Sequence, residues 1–113
     1  MAIDTINLEA GMPSTAQALG HLSAQLCMKK AQRVKAVKLI HGYGSSGRGG
    51  SIRRAVHEEL QKRQKAGQIK LFVKGEEVSP FEEVARRALM LVPALSSDRD
   101  FARCNHGITI VVL

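Results

Sequence analysis

Apolar and polar residues alternate along "TINLE", residues 5 to 9, so Ile6 and Leu8 share one face and a short strand is predicted. The period then changes. In "PSTAQALGHLSAQLCMKKAQ" Leu19, Leu22 and Leu26 recur along one stripe, and Ser14 and Gln17 stand at capping-box spacing, which predicts a helix from about 15 to 32. "VKAVKLIH" (34 to 41) is apolar enough for an inner strand. Ser51 then opens a second helix through Ile52, Ala55, Val56 and Leu60, stopped at Gly67. "QIKLFVK" (68 to 74) alternates as a strand. Ser79-Pro80-Phe81-Glu82 has the form of a capping box with proline at the first helical position, and Phe81, Val84, Ala85, Ala88 and Leu91 follow at helical spacing, predicting a third helix over 80 to 92. "SSDRDFARCNH" reads as loop and "GITIVVL" (107 to 113) as a buried final strand.

The order β-α-β-α-β-α-β predicts an α/β domain spanning 1 to 113. If the first two strands are parallel neighbours, Asn7 and Glu9 reach the same end of the sheet as His41, and ligands of open α/β sheets bind at such strand ends.

Composition narrows the function classes. With no Trp, one Tyr and three Phe, the chain has few rings for the stacking platforms of single-strand binders, so reading of sequence through stacked bases is not expected. Cys27 and Cys104 lack partners at metal-ligand spacing, so neither a disulfide framework nor a zinc site is suggested. The acidic start "MAIDTINLEAG" lacks the bases of a signal peptide, and "ALMLVPAL" is too short to span a membrane. A soluble cytoplasmic protein is expected.

The charge distribution is more informative than its total of +7. Residues 1 to 28 carry Asp4 and Glu9 and no base; residues 29 to 70 carry twelve Lys/Arg against Glu58 and Glu59; residues 71 to 113 carry five bases against six acids. The whole positive excess therefore lies in the middle segment, as a polyanion-binding surface requires, although solvated helix faces produce similar runs.

That segment also holds "HGYGSSGRGGS", a glycine-rich strand-to-helix turn of the kind that brings backbone N–H groups close to phosphate. Three ligands compete. "GYGSSG" (42 to 47) has the letters of the dinucleotide fingerprint, but Gly49 and Gly50 are expected to delay the helix to Ser51, and no acid stands at a strand end about twenty residues on. "GSSGRGGS" has the frame of a mononucleotide P-loop with Gly50 in place of the phosphate-binding lysine. A nucleic-acid backbone uses every feature present. Its candidate contacts are Gly42, Tyr43, Gly44, Ser45, Ser46, Gly47, Arg48, Gly49, Gly50, Arg53, Arg54 and Lys38.

"VKLIHGYGSSGRGGSIRRAVHEEL", followed by a terminal "NHGITIVVL", resembles the small MutS-related (Smr) domain family. That pattern joins a strand ending H-G-x-G to a helix opening with an aliphatic residue and arginine, and closes with G-x-T-x-V-x-L. The resemblance spans Ile6 to Leu113 except for an insertion at about 75 to 104, which holds the predicted third helix. It implies a two-layer α/β sandwich with a four-stranded mixed sheet, similar to the C-terminal domain of translation initiation factor three. It also implies nucleic-acid binding, DNA or RNA, with endonuclease activity in several members. It assigns the H-G-x-G motif to His41, Gly42 and Gly44, and the helix-opening arginine to Arg53. The family's first-strand L-D-L-H-G here reads "INLEAG": Asn7 replaces the aspartate, Glu9 the histidine, and Ala10 displaces the glycine.

If the altered site hydrolyses phosphodiesters, Glu9 is its base or its Mg²⁺ or Mn²⁺ ligand, His41 its acid, and Arg53 or Arg48 its charge stabiliser. Otherwise His41 hydrogen-bonds the loop and Glu9 pairs with an arginine. His21 and His57 have no partners at metal spacing, His106 approaches the sheet edge from a loop, and "SDRD" (97 to 100) reads as capping and ion pairing. The apolar stripe of helix 80 to 92 is core, a lid, or a docking face for a protein partner. The last option would make the chain a non-catalytic protein or ribosome interaction module.

Overall fold

The computed structural model describes residues 3–42 and 48–113, with Arg48 and Gly49 described by backbone alone. Four strands form one sheet: β1 (Ile3–Asn7), β2 (Ala36–Ile40), β3 (Leu71–Lys74) and β4 (Ile108–Val112). Their spatial order is β1-β2-β4-β3, with β1 parallel to β2 and β4 antiparallel to both of its neighbours. The sheet is thus open and mixed.

Strand periodicity sorts the side chains into two layers. Ile6, Val37, Leu39 and Val111 face α1 (Thr15–Ala31) and α2 (Arg48–Lys65), packing with Leu22, Leu26, Ile52, Val56 and Leu60. Ala36, Val73, Ile110 and Val112 face the opposite way, against Ala85 and Ala88 of α3 (Glu83–Leu91) and the short helical turn at Pro93–Ser97. The expected two-layer sandwich of helices on sheet is present, and α3 partly covers the far face. Most of the expected stripe on α3 is therefore spent on the sheet.

The helix ends obey local chemistry. Ser14 caps α1 in the predicted capping box: its hydroxyl accepts from Gln17 N–H, and Gln17 Oε1 accepts from Ser14 N–H. Gly67, at φ +75°, closes α2 in a Schellman motif, with Gln68 N–H donating to Arg63 O and Gly67 N–H to Gln64 O. Two boundaries differ from expectation. First, α2 begins at Arg48 rather than Ser51. Glycine costs only about 1 kcal/mol in a helix, and the buried Ile52, Val56 and Leu60 anchor the turns behind it. Second, Ser79 to Glu82 form a turn ahead of α3, in which Ser79 Oγ accepts from Phe81 N–H, and Glu82 occupies the cap. Phe81 consequently lies outside the helix and is 89% exposed.

Lys38 corrects a site assignment. It is buried on the α3 side of β2, where Nζ bonds Asp100 at 2.7 Å and Asp98 at 3.2 Å. The bond from Lys38, helped by Asn105, holds the Asp100 carboxyl below its usual range against the opposing effect of burial. Burial works to lower the Lys38 pKa, but the two carboxylates outweigh it and raise the value. Lys38 is thus a core ion-pair residue and leaves the phosphate-contacting set. "SDRD" supplies its partners, in keeping with the ion-pairing expectation for that turn.

Two stability predictions follow from these contacts. Lys38→Met strands the buried Asp100 carboxylate beside the half-buried Asp98 and lowers unfolding free energy by about 3 kcal/mol at neutral pH, measured by urea titration. Asp100's depressed pKa stabilises the fold above 3.8 and loses that contribution as pH falls through the folded value, so the variant has a shallower acid-side slope than the parent. Gly75 tests packing: a Cβ there would lie 1.7 Å from the Asn105 carbonyl oxygen, so Gly75→Ala destabilises by about 3 kcal/mol in the same assay.

Candidate nucleic-acid interface

The parallel pairing of β1 and β2 brings Asn7 opposite Ile40, and Leu8 N–H donates to Ile40 O at 2.7 Å. The two strands therefore end together, as expected. Beyond β1, Asn7 Oδ1 accepts from both Glu9 N–H and Ala10 N–H, an Asx turn that sets the chain's exit and leaves Glu9 exposed. Beyond β2, the N–H groups of His41 and Gly42 both donate to Gly107 O, which fastens the start of the glycine loop to the base of β4. Gly42 takes φ +75°, a left-handed conformation that glycine adopts without a steric penalty. The candidates Tyr43, Gly44, Ser45, Ser46 and Gly47 lie outside the described residues.

His41 is fully buried. Its Nδ1 lies 2.7 Å from Gly42 O and its Nε2 lies 2.8 Å from Thr109 Oγ1. A carbonyl only accepts, so Nδ1 carries the proton and donates to Gly42 O. Burial lowers the His41 pKa, and the Arg53 charge adds to that effect while the Gly42 bond, Glu9 and Glu76 oppose it. The ring is therefore neutral at pH 7 and its Nε2 accepts the Thr109 hydroxyl proton. The same hydroxyl lies 3.0 Å from His57 Nε2 and must accept from it. One chain of donors results: His57 N–H to Thr109 O–H to His41, and His41 N–H to Gly42 O. It joins α2, β4, β2 and the loop.

His57 is half-buried on α2, edge-on to His41 at 5.6 Å and stacked on Phe72 at 6.2 Å and 26°. Burial first, then the neighbouring His41, Arg53 and Lys74, push its pKa down to about 4. Beside it, Arg53 pairs with Glu76 and donates through Nε to His106 O at 3.3 Å. Burial works against the Glu76 charge, yet its backbone N–H and Arg53 keep the carboxyl below its ordinary range. Gly75 makes this possible by letting the chain after β3 pass against Asn105 and Ile108.

Between α2 and β3 lies an open depression of about 470 Å³, bordered by Gly50, Arg53, Arg54, His57, Phe72 and Lys74 together with Glu58 and Gln61. The structure thus brings Gly50, Arg53 and Arg54 to one surface and places His41 behind it. Glu9 reaches the histidine through its charge alone among the described contacts.

Sequence reasoning missed His57, Thr109, Phe72, Glu76 and Lys74. One signal was available: His57 stands four residues after Arg53 on the same helix face. The rest follow only from the sheet, where β3 pairs Lys74 with Thr109 and Phe72 with Val111, which puts all four on the α2 side.

The metal expectation finds no cradle. Among the described residues no three His, Cys, Asp or Glu side chains converge, and the Glu76 carboxylate is already engaged by Arg53. No helix there is long and apolar enough to cross a membrane.

No family model and no curated protein matches the sequence. Among solved structures, the crystal structure of the Smr domain of Thermus thermophilus MutS2 is similar, with a TM-score of 0.59 and 21% identity over 97% of this chain and 96% of that one. The fold is Smr-like. The Smr-like fold carries its glycine loop at the junction of β2 and α2, where the donor chain from His57 terminates.

Acid titration checks the donor chain. A histidine with a lowered folded pKa leaves stability intact above 6.5 and drains it as pH falls, because the unfolded chain then binds the proton more tightly. The fold accordingly loses stability between pH 6.5 and about 4, and His57→Phe flattens that slope. Thr109→Val, isosteric but without the hydroxyl, costs about 2 kcal/mol by leaving buried ring nitrogens without a partner.

Proposed function

We propose that this Smr-like chain binds nucleic acid through the phosphate backbone, DNA or RNA, at the α2–β3 surface. The reading rests on one observation: Arg53, Arg54 and Lys74 border a single depression beside the N-terminal turn of α2. Arg54 and Lys74 have no carboxylate partner among the described residues, so both offer charge to a ligand. Backbone N–H groups of the first helical turn face the same direction as the helix dipole, which favours phosphate.

His41 serves this surface as a positioning residue. Both ring nitrogens are hydrogen-bonded internally, and its bond to Gly42 fixes where the loop departs. Glu9 and His41 could act as base and acid in hydrolysis only if His41 released Thr109 or Gly42, so the binding reading asks less of the observed geometry. The likeness to the MutS2 Smr domain supports the fold on which this reading is built.

Salt dependence tests the proposal. Retention of a structured RNA or a duplex DNA, followed by fluorescence anisotropy, falls steeply with salt. Each of Arg54→Gln and Lys74→Gln lowers the slope by about 1 on a log-log plot. Binding that is insensitive to salt would overturn the phosphate reading. A parallel incubation with supercoiled plasmid and Mg²⁺ or Mn²⁺ is expected to leave the plasmid intact; nicking that disappears in His41→Ala would restore the catalytic assignment of His41 and direct attention to Glu9.

A further inference from the structure

Phosphate binding needs only cations, and the depression between α2 and β3 contains more than cations. We propose that it seats one nucleotide of a single-stranded segment, with the base against the Phe72–His57 ring pair and the adjoining phosphate on Arg54 and Lys74.

This inference rests on the nucleic-acid reading and specifies what occupies its surface. Three observations carry it. The depression, at about 470 Å³, falls in the range of sites that hold small ligands. Its wall holds two rings 6.2 Å apart and inclined at 26°, in a chain that has no Trp and only four Phe and Tyr residues. Finally, β3 is an edge strand, so among the described residues no strand pairs beyond it to close the depression from that edge.

The polar groups complement a base. His57 donates through Nε2 to Thr109, which leaves Nδ1 as the acceptor of a neutral ring, suited to an exocyclic amine or ring N–H. Gln61 on the rim offers both a donor and an acceptor. Arg53 is committed to Glu76, so Arg54 and Lys74 carry the phosphate, while Glu58 on the same rim disfavours a second one nearby. A duplex buries its base faces in its own stack and cannot use the rings.

Three probes of similar phosphate number separate the possibilities on the intact, unaltered chain at low salt: a thymidine dodecamer, an abasic strand of the same length, and a short hairpin duplex. The seat predicts that the thymidine strand binds about tenfold more tightly than the abasic strand, since stacking on an aromatic residue is worth that order. Phe72→Leu, which keeps apolar bulk without the π face, brings the thymidine strand down to abasic affinity. Equal affinity for thymidine and abasic strands on the unaltered protein overturns the seat and leaves backbone binding standing. Failure of all three probes to bind overturns both. The comparison on the unaltered chain decides the question even if Phe72→Leu does not fold.

Discussion

The Thr109 hydroxyl is the group on which this end of the molecule depends. It sits on β4, the strand wedged antiparallel between β2 and β3, and its only proton goes to His41 while its lone pair receives His57. A buried hydroxyl and two buried imidazole nitrogens are each expensive to leave unpaired, and here each satisfies the next. The direction of the chain follows from a single acceptor at its end, the Gly42 carbonyl. Four elements are fixed by it. The sheet end, the seat of α2 and the departure of the glycine loop cannot shift independently.

The same economy governs charge. Residues 29 to 70 hold a formal excess of ten positive charges. Several of those cations are committed internally: Lys29 to Asp4, Lys38 to Asp98 and Asp100, Arg53 to Glu76, and Arg63 to Glu59. Four of those five carboxylates come from outside the segment, so a count along the chain overstates the free charge. Near the first turns of α2, Arg54 is left without a carboxylate partner among the described residues, and Lys74, from outside the segment, joins it from the neighbouring strand. A ligand that touches both must lie across α2 and β3, which aligns it over the depression rather than along the helix.

Much of the fold was legible because periodicity and capping are local. Ile6 and Leu8, the Ser14–Gln17 box, the Gly67 stop and the apolar run at 108–112 all have their cause within a few residues of themselves, and the elements stand within a few residues of those signals, β1 ending at Asn7 rather than Glu9. The Smr resemblance was legible from "HGYG" and "GITIVVL", and the four-stranded mixed sheet agrees with it. What was not legible is long-range. Lys38 looked like a free cation because Asp98 and Asp100 lie about sixty residues away in sequence. Ser79 to Glu82 carried the letters of a capping box, but the chain there turns before α3 begins, and Glu82 caps it instead. His57 seemed one polar residue among many, since its partners Thr109 and Phe72 belong to strands whose pairing only the sheet order reveals.

Binding and hydrolysis make opposite demands on His41. To hold the loop it must keep Nδ1 on Gly42 and Nε2 on Thr109, stay neutral, and remain buried. To protonate a leaving oxygen it must carry a second proton and expose it, against burial and against the nearby Arg53 charge. Glu9 favours the charged ring, but from the exposed tip of the β1 turn, and it is outweighed. In a first-strand motif that reads "INLEAG", Asn7 is likewise occupied, its carbonyl oxygen spent on the Glu9 and Ala10 N–H groups. Asn7 thus shapes the turn after β1, and His41 the start of the loop after β2. That arrangement suits the proposed backbone contacts, with the polar residues at the strand ends bonded within the chain while Arg54 is exposed and Lys74 half-exposed.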